Sequence, residues 1–181
     1  MRKAIQKTVE QFGTLHLAVN NTGIAREFGY LHESSLENWR KVMGINLDGI
    51  FYAMKYEIAE MLKHGNGSIV NIGSVEGHTI LRFNPTYTAS KHAITGLTKA
   101  TARDYADKGT RINTICPGVI NTPLAAGQPE ITDPLAKTIP MGRLGEPREI
   151  AYTVAFVLSD FSSYTTGVDI IVDGAFLLRG E

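Results

Sequence analysis

One rhythm in the 181-residue sequence limits the folds open to it. Short, almost uninterrupted apolar runs alternate with longer stretches of helical periodicity. The runs are "LHLAVNN" (15–21), "SIVNIGS" (68–74), "RINTICPG" (111–118) and "GVDIIVDG" (167–174). Strands that are apolar at successive positions, rather than at every second one, are covered on both faces. Helical stretches lie around and between them. Ile5, Val9 and Phe12 recur at helical spacing and Gly13 ends that helix. Residues 35–62 form a long helical stretch, in one or two pieces, with Ser35 as cap and "HGNG" as its close. Residues 86–109 and 146–159 are the other two, the last with Pro147 in its first turn. Strand, helix, strand, helix predicts βαβ units, a parallel sheet and an α/β fold.

Other classes are excluded by what is missing. Eighteen Lys plus Arg balance eighteen Asp plus Glu, with no basic stripe, so a nucleic-acid partner is not expected. No apolar run approaches the ~18 residues of a membrane span, and no apolar run follows Arg2 and Lys3 as in a secretory leader. Cys116 is the single cysteine, which rules out a disulfide framework and a CxxC metal motif and suits a reducing compartment. A cytoplasmic protein without a metal is expected. No repeat or linker divides the chain, so residues 1–181 read as one domain.

In parallel α/β sheets, ligands bind beyond the carboxyl ends of the strands. Those ends here are "NNTG" (20–23), Ser74 followed by "VEG", and "PGVINT" (117–122). Each is small, polar or backbone-bending, as a close approach to a ligand requires, although turns use the same residues. Tyr87 and Lys91, four apart behind Pro85, share one helix face. Alone they read as a surface pair. Ser74 lies thirteen residues before Tyr87, so the strand-to-helix crossover can carry its hydroxyl to the first helical turn. A phenol with an ordinary pKa near ~10 gives up its proton poorly at neutral pH. A neighbouring ammonium is expected to lower that value. Such a tyrosine exchanges a proton with an alcohol or carbonyl oxygen that Ser74 holds.

These residues, in this order, resemble the short-chain dehydrogenase/reductase family. The resemblance rests on "NNTG" (20–23), Asn46 in "GINLDGIF", Ser74, Tyr87-x-x-x-Lys91, "PG" at 117–118 with Thr122, "RLGEPREIA" (143–151) and "YTTGVDIIVDGA" (164–175). It implies a Rossmann-like doubly wound parallel sheet and an oxidoreductase that interconverts a secondary alcohol and a ketone with NAD or NADP. Tyr87 is then the acid/base, Lys91 lowers its pKa and holds the nicotinamide ribose, and Ser74 orients the substrate oxygen. Asn46 holds a water that links Lys91 to solvent. The cofactor set is Asn21, Gly23, Tyr87, Lys91, Gly118, Ile120 and Thr122, with Asn21 near the adenine-side ribose and Ile120 and Thr122 at the carboxamide. Residues 123–140 become a substrate lid, and the lid together with 75–83 lines a pocket for a small to medium, largely apolar alcohol or ketone. The helices at 39–63 and 86–108 pair two copies into a homodimer or homotetramer, through Ile50, Phe51, Ala53, Ala59, Ala93, Ala100 and Ala102.

The sequence departs from the family pattern at Thr22, Gly73 and Ala175, where Ala, Ser and Gly are common. A larger departure is that it shows no Gly-rich turn for the pyrophosphate and no residue that chooses between NAD and NADP. The sheet is expected to keep family strands 4-5-6-7 and to leave "LHLAVNN" as an open edge. Three readings stay open: a part of a longer enzyme, a site completed by another chain, or a non-enzymatic oligomerising or binding module on the same scaffold. Alone, these residues are expected to hold only half of the cofactor site and to bind NAD(P) weakly.

Overall fold

The computed structural model describes residues 1–122 and 129–178. Four parallel strands form one sheet in the order β1-β2-β3-β4, with β1 (Leu17–Asn20), β2 (Gly67–Ile72), β3 (Thr110–Pro117) and β4 (Asp169–Val172). This is the expected strand order, and β1 is an edge of the described sheet. It leaves Leu17 and Val19 53% and 45% exposed. The register sets Asn20 against Asn71, and Thr114 against Asp169.

Alternate strand residues feed two cores, because successive side chains in a strand point to opposite faces. Ile69 and Ile112 meet Ile50, Met54, Ile58 and Met61 of α3 (Gly49–Met61) and Ile94 and Ala102 of α4 (Pro85–Tyr105). On the other face Val70 and Ile115 meet Ile150, Val154 and Val157 of α6 (Pro147–Leu158). Helix α1 (Arg2–Phe12) ends at Gly13, whose φ of 83° closes the helix in the left-handed region and returns its N–H to the Val9 carbonyl.

The long helical stretch is two helices joined by a π-turn. Helix α2 (Leu36–Met43) is capped by Ser35, whose Oγ accepts the Asn38 N–H at 3.0 Å. Residues Gly44–Asp48 form the π-turn, and α3 continues from it. Helix α5 (Pro129–Thr138) carries Pro134 inside it. The expected lid at 123–140 therefore includes α5, while 123–128 lie outside the described residues.

Two of the sequence departures have a structural setting. A Cβ on Gly73 would stand 2.7 Å from Thr114 Cγ2 and 3.1 Å from Cys116 Sγ, so no serine fits while those residues stay in place. Ala175 takes a φ of 69°, a left-handed conformation that costs an L-residue roughly 1–2 kcal/mol.

A buried polar network ties the carboxyl end of β1 to the rest. Asn20 Nδ2 donates to Glu57 Oε2 at 3.1 Å and to Asn71 Oδ1 at 3.0 Å, and Asn71 Nδ2 donates to Thr98 Oγ1 at 2.9 Å. Burial pushes the Glu57 carboxyl up from its ordinary value, against the lowering by Asn20. β1, β2, α3 and α4 are thereby joined directly below the rim that carries the polar strand ends.

Candidate active site

The site begins where β2 stops. Ser74 leaves the strand extended and caps the short 3-10 turn at Val75–Gly77, its Oγ accepting the Glu76 N–H at 3.1 Å. The chain then returns to Pro85, the first residue of α4. The Glu76 carboxylate holds this crossover together. It accepts from Asn84 Nδ2 at 3.2 and 3.3 Å and from Thr88 Oγ1 at 2.7 Å. Because the Asn84 side chain is engaged there, α4 starts without a side-chain cap. Tyr87 consequently lies in the first turn of α4, with its phenol close enough to the Ser74 side chain for that hydroxyl to favour the phenolate.

Lys91, one turn further, is almost fully buried at 4% exposure. Its Nζ donates to the Ile72 carbonyl at 3.0 Å and stands 5.4 Å from the centroid of the Tyr87 ring. Burial drives the ammonium down to about 8, against the raising influence of the Cys116 and Glu76 charges. Lys91 is still mostly charged at pH 7. The expectation that it lowers the Tyr87 pKa is not met in this arrangement. Burial pushes the phenol up to about 12, the Ser74 hydroxyl opposes this, and the Glu76 carboxylate adds to it. Desolvation of the phenolate outweighs an ammonium that is directed at the Ile72 carbonyl.

Asn46 sits in the π-turn with no exposed surface. Its Oδ1 accepts the Ile24 N–H at 2.8 Å, and its Nδ2 donates to the Ile24 carbonyl and to Ser90 Oγ, both at 3.0 Å. Ser90 Oγ in turn donates to the Tyr87 carbonyl at 2.7 Å. Both amide hydrogens of Asn46 are thus engaged with the protein. Its side chain fastens the segment after "NNTG" to the first turn of α4. Gly23 lies close by: a Cβ there would come within 3.5 Å of Lys91 Nζ and 3.7 Å of Asn46 Oδ1.

The structure therefore brings Ser74, Tyr87, Lys91, Asn46 and Gly23 together. Asn21, Gly118, Ile120 and Thr122 lie past the carboxyl ends of β1 and β3, and among the described residues no hydrogen bond joins them to the Tyr87 cluster. Gly118 is pressed against β4, where a Cβ would stand 2.8 Å from Asp173 Cα. Ile120 bridges to Gly145. A cleft lined by Val119, Ile120, Arg143, Glu149, Val172 and Asp173 lies at this end without including Tyr87. Nearer the tyrosine, Gly29, Tyr30, Leu31, Arg82, Phe83 and Pro85 line a second concavity. Tyr30 and Phe83 meet there edge to face, with centroids 5.1 Å apart.

Two residues that hold the site were missed in the sequence. Ser90 stands between Tyr87 and Lys91, and Glu76 follows Ser74 by two positions. Proximity to the motif was the one available signal, since neither makes its contacts through local spacing alone.

The arrangement suits a nicotinamide cofactor. Lys91 has one recorded hydrogen-bond acceptor among the described residues, Ile72, so its remaining N–H groups are available to ribose hydroxyls. The side-chain-free Gly23 keeps the space beside that ammonium clear. The family model that matches residues 1–176 is described as enoyl-(acyl carrier protein) reductase. The cyclohexanol dehydrogenase of Acinetobacter sp. (strain SE19) is 48% identical over 176 residues, which are 97% of this chain and 69% of that protein. The 2,5-dichloro-2,5-cyclohexadiene-1,4-diol dehydrogenase of Sphingobium indicum is 41% identical over 174 residues, 96% of this chain and 69% of that one. The structure of ElxO with NADP bound superposes with a TM-score of 0.94 at 33% identity, over 98% of this chain and 73% of that one.

Proposed function

We propose a function on one premise: the chain belongs to the short-chain dehydrogenase/reductase family. It is accordingly an oxidoreductase of secondary alcohols that uses NAD or NADP. The roles proposed for Ser74, Tyr87, Lys91 and Asn46 are supported by the geometry above, and those of the remaining cofactor residues by the family resemblance. The Ser74 and Tyr87 hydroxyls lie close together, so a substrate oxygen placed between them is held by both at once. For ketone reduction, the neutral phenol of Tyr87 donates its proton to the oxygen as that atom gains charge. For alcohol oxidation, the phenolate accepts the hydroxyl proton. The nicotinamide, when bound, supplies the hydride acceptor or donor. Lys91 holds its ribose, and Asn21, Gly23, Gly118, Ile120 and Thr122 frame its remaining length. Asn46 acts through Ile24 and Ser90, which fix the first turn of α4 and hence the phenol. The observation that carries this reading is the Ser74–Tyr87 contact next to a buried, mostly charged lysine.

The proposed substrate is a compact, largely apolar ring alcohol and its ketone. The concavity at Tyr30, Leu31, Phe83 and Pro85 opens two residues from Tyr87 and is aromatic on two sides. Two of the most similar relatives are named for alicyclic alcohols. Assayed with NAD and NADP by nicotinamide absorbance, in a protein that also carries the Gly-rich part of the cofactor site, the enzyme is expected to oxidise cyclohexanol far faster than an open-chain polyol. Tyr30→Ala is expected to raise KM for it about 10-fold, equivalent to about 1.4 kcal/mol of lost apolar contact. Failure to oxidise any alicyclic secondary alcohol with either cofactor would overturn the reading. With a single buried thiol, Cys116, a cytoplasmic setting is proposed with it.

Self-association is the other proposal. Ile50, Ala53 and Ala102, expected on the outer face, belong to the core instead. Phe51 and Tyr52 remain 47% and 52% exposed, and Ala59 and Ala100 are exposed beside them. The occupant proposed for this face of α3 and α4 is a second copy, since closed two-fold pairing is the commonest arrangement of soluble oligomers. Light scattering is expected to give a dimer or tetramer, and Phe51→Lys a smaller species. A monodisperse monomer for the unmutated protein would exclude the pairing.

A further inference from the structure

Beyond the Tyr87 site, three potential metal ligands from distant parts of the chain converge on one point. His78 closes the 3-10 turn after Ser74, Cys116 lies near the end of β3, and Asp169 opens β4. His78 Nε2 is 3.6 Å from Cys116 Sγ and 3.4 Å from Asp169 Oδ2, and all three ligand atoms lie within 4.8 Å of one another. The same imidazole nitrogen faces both partners. A single ring nitrogen carries one hydrogen or one lone pair, so it satisfies one of them at a time. A cation between the three atoms satisfies all of them.

The two spacings from the imidazole nitrogen are those an ion imposes. Zinc bonds of about 2.3 Å to sulfur and about 2.0–2.1 Å to nitrogen and oxygen, set at tetrahedral angles, separate nitrogen from sulfur by about 3.5 Å and nitrogen from oxygen by about 3.3 Å. Among the described residues, nearby polar atoms also lack partners: Thr114 Oγ1 and Asp169 Oδ1 are buried with no hydrogen bond. Buried polar atoms of this kind call for a specific explanation, of which a bound ion is one. The Asp169 side chain is 5% exposed and that of His78 29%, so the site is closed on the protein side and reachable from the histidine side.

We propose that His78, Cys116 and Asp169 form a three-ligand site for a divalent transition metal of the zinc class, with the fourth position open to water. An ion there joins the segment that follows Ser74 to the last two strands. Two competitors stand against it. Lys99 Nζ lies 2.5 Å from Asp169 Oδ2, and binding requires this 52%-exposed side chain to swing into solvent. The ion must also displace the proton of the buried Cys116 thiol.

Cobalt is the test probe, because tetrahedral Co²⁺ is coloured and its thiolate bond adds a charge-transfer band. Titration of the protein is expected to give one Co²⁺ per chain with that band, displaced by Zn²⁺, and a higher Tm with the metal. Changes in the outer shell alone cost about 10–100-fold in metal affinity. His78→Ala is therefore expected to weaken binding more than ~100-fold, and Cys116→Ser to remove the charge-transfer band. Lys99→Ala, which takes away the competing ammonium without touching a ligand, is expected to tighten binding. Absence of stoichiometric binding at micromolar metal would overturn the site, as would binding that survives His78→Ala or keeps its charge-transfer band in Cys116→Ser. A Lys99→Ala protein that folds normally and binds no better would remove Asp169 from the ligand set.

Discussion

Tyr87→Phe, in a protein that carries the complete cofactor site, is expected to reduce kcat by about 10²–10⁴-fold, the range over which a positioned proton donor or acceptor contributes to catalysis, and to leave cofactor affinity within a small factor of the unmutated enzyme. The phenol reaches the Ser74 side chain, whereas Lys91 is held by the Ile72 carbonyl. Removing one oxygen therefore deletes the proton carrier without moving the proposed ribose ligand. The pH profile gives a second readout. Burial holds the phenol at about 12, so it is protonated at neutral pH. The unmutated enzyme is expected to reduce ketones well near neutrality and to oxidise alcohols faster as pH rises and the phenolate becomes accessible. Tyr87→Phe should flatten that alkaline rise. Steady-state kinetics in both directions and a cofactor titration check all of this, and near-normal turnover in the variant would remove Tyr87 from the chemistry.

Lys91→Met is expected to destroy turnover and, at the same time, to make the protein more stable at pH 7. The ammonium is 4% exposed and its pKa falls from 10.5 to about 8 because burial opposes its charge. That gap corresponds to roughly 3 kcal/mol against the charged form. Methionine fills most of the same volume without a charge, but it leaves the Ile72 carbonyl without this donor, an opposing loss of about 1 kcal/mol. A net gain of about 1–2 kcal/mol is expected. The sign of the pH dependence follows from the lowered pKa. Below about 8 the lysine is charged in both folded and unfolded chains, and the burial cost is fully present. Between about 8 and 10.5 the unfolded chain binds the proton that the folded chain has lost, so the stability of the unmutated protein rises with pH. The advantage of Lys91→Met should then shrink across that window and vanish above it. Urea unfolding at pH 7 and pH 10 checks the prediction. A variant less stable at pH 7, or an advantage independent of pH, would show that burial of the charge is not the governing cost.

The strands were legible because burial on both faces writes itself into consecutive residues: Ile69 and Val70 are neighbours, and each serves a different core. Tyr87 and Lys91 were legible because a four-residue spacing on a helix fixes a shared face, and Ser74 because the crossover is short. What depends on partners far along the chain was not. The raised phenol of Tyr87 and the lowered ammonium of Lys91 come from burial, which local spacing does not encode. The outward apolar face of α3 was misassigned in part, since Ile50 and Ala53 turn inward. Helix α5 falls within the expected lid, whose bounds came from the resemblance and not from helical periodicity. His78, Cys116 and Asp169 are separated by 38 and 53 residues, and no local pattern joins them.

The π-turn at Gly44–Asp48 was invisible for a related reason, since five residues are too few to distinguish its period from that of an α-helix. Its presence constrains the length of the chain in an unusual way. Each residue of an α-helix advances the side-chain direction by about 100°, and a π-turn holds one residue more than the α-turn it replaces. The turn absorbs the extra residue, so α2 and α3 stay in phase across it. With it, Val42, Asn46, Ile50 and Met54 all face inward. Deleting a single residue from 44–48 would restore an ordinary helix and leave the two halves in their present orientation. Val42 on one side and Ile50, Met54 and Ile58 on the other would keep their core places, and only the widened turn from which Asn46 reaches Ile24 and Ser90 would be lost. A one-residue deletion here would therefore separate the active-site brace from the core, removing the first and sparing the second.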